Sequence, residues 1–308
     1  MTIGHWYEQV TQFTISVTPP FRFDLALRYL LRSPDEIIDL IREERHYRVV
    51  SGSYEPALLE ISAPDSAEDR SLSVRVLSGE IEPESIQAAV RTLYQPYPTS
   101  QNTELTEPLA MKLHKHFDGL PVLQTLTPWE ALVWAIIGQQ INIAFAYRLK
   151  RAFVESFGAR VDYDGHTYYA FPEPDIVAAL EHERDLLPIQ FSRQKSRYVI
   201  EAARSVLNGG LDFGRIAQLD DDAASESLQE QLGVGRWTAE YILLRGFGRL
   251  DVIPAGDAAL KALVGQHLDL GRAATEDEVR SLAERWKPRR GETAFMLWFA
   301  KQSGWFSR

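Results

Sequence analysis

The stretch L-G-V-G-R-W-T-A-E-Y, Leu232 to Tyr241, restricts what this chain can fold into more than any other part of it. Two glycines bracket one valine between an apolar helical run and a second helical run. Glycine costs backbone entropy in ordered structure, so a Gly-x-Gly at such a junction marks positive φ or a close approach to the backbone. The pattern reads as a helix, the short hairpin L-G-V-G, and another helix, with Val234 anchoring the turn in the core. Such a hairpin opens the first N–H groups of the second helix, where the helix dipole also favours an anion. A bare Gly-x-Gly is more often a tight connection closed by a glycine cap. The apolar flanks, Arg236 and the following Thr238-Ala239 shift the reading toward a phosphate-binding hairpin that uses Gly233, Gly235, Arg236 and Thr238.

At 308 residues the chain exceeds the usual single-domain size, so two or three packed units are expected. The first hundred residues mix periods. Q-F-T-I-S-V, A-L-L-E-I-S and S-L-S-V-R-V alternate like strands, L-A-L-R-Y-L-L repeats like a helix, and P-E-S-I-Q-A-A-V-R-T-L-Y opens a helix on proline and acid. The segment Y-Q-P-Y-P-T-S-Q-N-T, Tyr94 to Thr103, is the best boundary, giving an α+β unit over 1–100 and a second region over 101–308. Beyond that boundary almost everything reads as helix. One long apolar pattern begins at Pro128, with Thr127 placed to cap it, and is interrupted at Gly138 to Gln140. Further helices are expected around Pro174–Glu183, Gln194–Leu207, Ser225–Leu232, Trp237–Arg245, Ala258–Val264, Glu276–Arg285 and Glu292–Lys301.

With no cysteine, the chain has no disulfide, thiol nucleophile, zinc ribbon or iron–sulfur cluster. Catalysis must rest on carboxylates, hydroxyls, histidine, lysine or a weakly held metal. The net charge of −10 argues by itself against a nucleic-acid partner. Bases nevertheless cluster at Arg148–Arg151, Ser192–Arg197 and Arg285–Arg290, which allows a basic stripe on an acidic molecule; each alone is also consistent with a solvated helix face. The amino terminus does not read as a secretory signal and no apolar run is long enough to cross a membrane, so a cytoplasmic location is expected. The pair His114 and His116 lacks further ligands at suitable spacing, so surface histidines are expected and no metal site.

Some twenty residues past the hairpin lies L-D-V-I-P-A-G-D-A-A-L-K, in which Asp257 stands at the mouth of a new helix. Locally Asp257 is an N-cap, which is also a rigid way to present a carboxylate. The pairing of hairpin and aspartate loop resembles the helix-hairpin-helix superfamily of DNA base-excision glycosylases, and within it the DNA-3-methyladenine glycosylase II family. The likeness runs through P-P-F (Pro19–Phe21), P-W-E-A-L-V-W-A-I-I-G-Q-Q (Pro128–Gln140), F-P-E-P (Phe171–Pro174), G-V-G-R-W-T-A-E-Y, A-E-R-W-K-P (Ala283–Pro288) and F-M-L-W-F (Phe295–Phe299).

That resemblance implies an α+β fold, with an N-terminal TATA-binding-protein-like domain and a helical region of two lobes flanking a cleft. It makes Asp257 the catalytic carboxylate and places Trp237, Tyr241, Trp298 and Tyr29 on the walls of the base pocket; each aromatic alone is also explained as ordinary core. Gln140 falls where the family inserts a residue behind the extruded base. The family's nearer members use an aliphatic side chain there, so Ile141 is a second candidate for the wedge. Ala258 stands where the family can place an aromatic, which leaves the pocket more open on that side. No cofactor is required, although the hairpin carbonyls of such motifs can hold a monovalent cation.

The partner implied is double-stranded DNA containing alkylated bases, bound by a monomer. A buried base must be flipped before it can be hydrolysed. Alkylation at N3 or N7 leaves a purine positively charged, so aromatic faces can hold it by cation–π attraction and it leaves without an acid. One carboxylate then suffices to stabilise the oxocarbenium-like sugar and orient water. Lyase-type relatives carry lysine at the place of Trp237, so a monofunctional enzyme that leaves the abasic site uncut is expected. The competing readings are a glycosylase for oxidised bases such as 8-oxoguanine and a non-catalytic binder of damaged DNA.

Overall fold

Alternating residues in the first hundred positions fold into one antiparallel sheet. The computed structural model describes residues 11–52, 54–63, 71–94 and 105–307. Strands β1 (Thr11–Ser16), β2 (Leu40–Arg42), β3 (Arg45–Val50), β4 (Ala57–Ser62) and β5 (Ser71–Ser78) lie in the order β1-β5-β4-β3-β2. The two-residue period sends Ala57, Leu59 and Ile61 of the central strand to one core and Leu58 to another. Helices α1 (Phe23–Leu30), α2 (Pro83–Tyr94) and α3 (Pro108–His116) join the first of these cores.

The other face of the sheet packs Val49, Leu58 and Leu77 against Val161 and Tyr168. Those two belong to a small hairpin, β6 (Arg160–Tyr163) and β7 (His166–Tyr169), in a region expected to be helical. Its turn is Asp164-Gly165 with φ of 48° and 71°, a dipeptide that favours a tight hairpin, so the signal is present in the sequence. The β2–β3 turn has no such signal. Glu43 and Glu44 occupy it at φ of 48° and 59°, a conformation that usually calls for glycine or asparagine.

The long apolar pattern splits at its glutamines into α4 (Pro128–Gly138) and α5 (Ile143–Phe157). Thr127 caps α4 by accepting from Glu130 N, and Asn142 caps α5 by accepting from Phe145 N. Then come α6 (Pro174–Ala178), α7 (Arg193–Leu207), α8 (Phe213–Ala217), α9 (Asp221–Gln229), α10 (Arg236–Gly246), α11 (Ala258–His267), α12 (Glu276–Ala283) and α13 (Arg290–Gln302). The helix expected over Pro174–Glu183 stops at Ala178, and a π-helical turn occupies 182–186. No helix among the described residues is long and apolar enough to cross a membrane.

From residue 95 to 104 the proline-rich boundary segment lies outside the described residues. The sheet-bearing part and the helical part share a core, since residues of α1 and α2 cluster with those of α11, α12 and α13. A buried polar network adds to that contact: Arg48 of β3 bridges Asp39 and Glu130 of α4, and Lys150 of α5 holds Glu36 at 2.6 Å. Burial works against the Asp39 carboxylate, but Arg48 and His46 hold its pKa far below the ordinary range.

Candidate active site

The hairpin forms because its two glycines do different work. Gly233 has φ +87°, and the ring of Tyr198 lies 2.4 Å from where a Cβ would stand. Gly235 is extended, and a Cβ there would meet nothing within 4 Å. The first glycine is therefore required by the fold, and the second leaves open space beside the start of α10. Val234 between them is buried, as expected of the anchor. No side chain caps α10, so its first-turn N–H groups point outward without an intrahelical partner. Arg236 is exposed and pairs loosely with Glu240 at 3.2 Å. Thr238 is turned inward, only 2% exposed, and its hydroxyl accepts from Gln139 Nε2 at 3.1 Å.

Asp257 caps α11, as the local sequence implied. Its Oδ1 accepts from Ala259 N at 2.9 Å, Leu260 N at 3.0 Å and Trp298 Nε1 at 3.0 Å. Three donors on one oxygen fix the carboxylate plane, and Oδ2 has no hydrogen-bond partner among the described residues. The loop before it is tight, with Asp257 N donating to Pro254 O at 2.9 Å. Gly256 touches the hairpin helix: a Cβ there would lie 3.4 Å from Trp237 Cβ.

Trp237, Tyr241 and Trp298 form a continuous aromatic row beside this carboxylate. Trp237 and Tyr241 have ring centroids 5.7 Å apart, and Tyr241 and Trp298 are 6.1 Å apart. Burial pushes the Tyr241 phenol up, so it stays protonated. Trp237 Nε1 is buried without a hydrogen-bond partner. Ala258, next to Asp257, is exposed.

Tyr29 stands one layer behind this row. It is 1% exposed, lies 4.4 Å from Phe295, and its hydroxyl accepts from Arg32 and Arg245. The Arg245 guanidinium sits within 6 Å of the rings of Tyr29, Tyr241 and Phe295, and its Nε donates to Leu123 O. Arg32 and Arg245 form no ion pair among the described residues; tyrosine hydroxyls and a carbonyl satisfy them instead. A polar cavity of about 30 Å³, lined by Arg32, Glu36, Glu130, Trp134, Lys150 and Tyr241, lies here and has room for about two waters.

The turn between α4 and α5 carries the residues expected to enter DNA. Gln140 is exposed at φ +57°, and Ile141 is partly buried against the helical core. Two neighbours hold this turn. Gln139 Nε2 donates to Gly233 O at 2.9 Å and to Thr238 Oγ1 at 3.1 Å, and Lys195 Nζ donates to the carbonyls of Ile136, Ile137 and Gln139. Half-burial pushes the Lys195 pKa down to about 8. Sequence reasoning missed both residues. The interruption at Gly138–Gln140 was the only signal for Gln139, and Lys195 looked like part of a solvated basic face. Of the hairpin carbonyls, Gln231 O accepts from Val234 N at 3.0 Å and Gly233 O from Gln139 Nε2 at 2.9 Å.

Most bases of the three clusters are paired with acids of the same chain, several of them at the surface. Lys150, Arg151, Arg193, Lys287, Arg289 and Arg290 all pair with acids. Only Arg148, Arg197 and Arg285 of those clusters have neither an ion pair nor a carbonyl partner among the described residues. His114, expected at the surface, is turned in and hydrogen-bonds Thr293 Oγ1 at 2.9 Å. Burial lowers its pKa to about 4, against the pull of Glu292.

The sequence profile of the HhH-GPD superfamily of base excision DNA repair proteins matches residues 133–289, which include the α4–α5 turn, the hairpin and the aspartate loop. The chain belongs to this superfamily. Among curated proteins it is 28% identical over 303 residues to a DNA-3-methyladenine glycosylase of Bacillus subtilis, covering 95% of this chain and 98% of the relative. Its fold matches that of the 3-methyladenine DNA glycosylase from Archaeoglobus fulgidus with a TM-score of 0.77 at 23% identity, over 95% of this chain and 99% of that one. It also matches an 8-oxoguanine glycosylase/lyase of Clostridium acetobutylicum, solved with double-stranded DNA, with a TM-score of 0.73 at 17% identity, over 96% and 99% of the two chains. The HhH-GPD match covers the elements that build the site, and the structural matches extend through the N-terminal sheet.

Proposed function

We propose that this HhH-GPD protein is a monofunctional DNA glycosylase that flips alkylated purines of the 3-methyladenine type out of duplex DNA and releases them by hydrolysis. The observation that carries the reading is the hydrogen bond from Trp298 Nε1 to Asp257 Oδ1, which ties one wall of an aromatic row to the carboxylate. A base held along Trp237, Tyr241 and Trp298 would bring its sugar toward Asp257. The free Oδ2 could then face the developing oxocarbenium ion or an attacking water, while Oδ1 stays fixed by three donors. Among the described residues no cation stacks on Trp237 or Trp298, whereas Arg245 lies 5.9 Å from the Tyr241 ring. The two indoles are thus the electron-rich faces left for a cationic base, each contact contributing about 0.5–2 kcal/mol.

Tryptophan at position 237 has no amine with which to form a Schiff base, which favours hydrolysis over the lyase chemistry named for the Clostridium neighbour. DNA would be gripped at the uncapped start of α10 and at Gly235, with Arg236 adding charge. The test is chromatography of bases released from methylated genomic DNA, run beside a duplex carrying 8-oxoguanine. Release of methylated purines with no strand break before alkali is the expected result. Covalent trapping by borohydride, or release of 8-oxoguanine alone, would overturn the proposal.

A further inference from the structure

Lys195 belongs to α7, apart from both the hairpin and the insertion turn, yet its ammonium is spent entirely on the end of α4. The carbonyl oxygens of Ile136, Ile137 and Gln139 lie 2.8, 2.8 and 2.6 Å from Nζ. Carbonyls at the end of a helix run short of backbone donors; Ile136 O accepts only a long bond from Gln139 N at 3.3 Å, and one ammonium with three protons reaches all three oxygens. The next residue, Gln140, holds a left-handed backbone conformation that disfavours any side chain and persists only where its surroundings over-determine it. From the opposite side, the Gln139 amide joins the same turn to Gly233 O and Thr238 Oγ1.

We propose that Lys195 and Gln139 form a clamp that fixes the DNA-insertion turn to the phosphate-binding hairpin, so that backbone grip and insertion into the base stack act as one rigid unit. Lys195 touches neither DNA nor the reacting atoms in this scheme and is a positioning residue. The physical argument is pre-organisation. A turn free to leave the left-handed conformation at Gln140 would have to be ordered at the moment of insertion, and that cost would fall on the extruded state alone. Gripping undamaged duplex requires only the hairpin, so it does not depend on the clamp.

This inference rests on the reading of the turn as the inserting element, and its test needs no catalysis. The ratio of affinity for a duplex with a stable tetrahydrofuran abasic analogue to affinity for the undamaged duplex is measured, with 2-aminopurine opposite the analogue reporting unstacking. Lys195→Met keeps most of the apolar stem and removes the donors; Gln139→Met keeps the side-chain length, removes the donor at the other end and serves if the first variant folds poorly. Each is expected to lower the ratio about tenfold, equal to about 1.4 kcal/mol, and to reduce the 2-aminopurine signal, with binding to undamaged duplex unchanged. Gln140→Ala separates the two readings. If it leaves the ratio intact while the clamp variants lower it, the clamp stands and another residue of the turn inserts. A lowered melting temperature with an unchanged ratio in both clamp variants would make Lys195 a mere helix cap and overturn the proposal.

Discussion

Replacing Asp257 with asparagine should abolish base release while leaving the protein folded and able to bind DNA. The amide oxygen of asparagine can take the place of Oδ1 and keep all three donors, from Ala259 N, Leu260 N and Trp298 Nε1. The amide NH2 then falls at Oδ2, which has no partner to lose. Asparagine caps helices about as well as aspartate. The change turns three charge-assisted hydrogen bonds into neutral ones and removes a favourable dipole interaction, a loss of about 1–3 kcal/mol. Stability of about 5–15 kcal/mol leaves the folded population intact at 25 °C after such a loss. Removing a pre-organised charge from a site where a cation develops raises the barrier by about 3–4 kcal/mol, or a rate lowered by about a hundredfold to a thousandfold. Single-turnover release of an alkylated purine, measured beside melting temperature and affinity for an abasic-analogue duplex, reads all three quantities. Asp257→Ala should be as inactive but visibly less stable, because it also removes the cap and leaves the Trp298 N–H unpaired. Near-normal excision by the asparagine variant would refute the reasoning and reduce Asp257 to a cap.

The two hairpin glycines should separate folding from binding. Gly233→Ala puts a methyl group into the Tyr198 ring at φ +87° and should destabilise the protein by at least about 1–2 kcal/mol, read as a lowered melting temperature. Gly235→Ala meets open space, so melting should be unchanged while affinity for undamaged duplex falls by about 1 kcal/mol, the worth of one weakened phosphate hydrogen bond; equal affinity would remove Gly235 from the interface. His114 predicts an acid limb. Its folded pKa of about 4 lies below the ordinary 6.5, so between those values the unfolded chain binds a proton that the native state does not, and stability falls as pH drops through that window. The loss reaches about 3 kcal/mol at most, and His114→Asn should flatten it; an unchanged profile would place the acid sensitivity elsewhere.

The sequence alone determined the elements whose signals are local. The Gly-x-Gly hairpin, the Thr127 cap, the Asp257 cap and the alternating strands β1, β4 and β5 depend on backbone conformation and near neighbours, so residue type and spacing specify them. The β6–β7 hairpin is legible in Asp164-Gly165, although the helical periodicity around it hides the signal, whereas Glu43-Glu44 carries nothing to read, because the packed strands around that turn impose its positive φ. What a side chain does once buried belonged to the tertiary structure. Tyr29 and Tyr241 are the same residue type at helical spacing, yet one is sealed behind Phe295 and the other stands in the aromatic row. Lys150 and Lys195 both read as members of basic surface clusters. Packing of α5 turned the first onto Glu36, and packing of α7 against α4 turned the second onto three carbonyls. A cation's sequence position fixes its charge, but only the fold decides whether water, an acid or a helix end lies within its reach, and that partner decides its role.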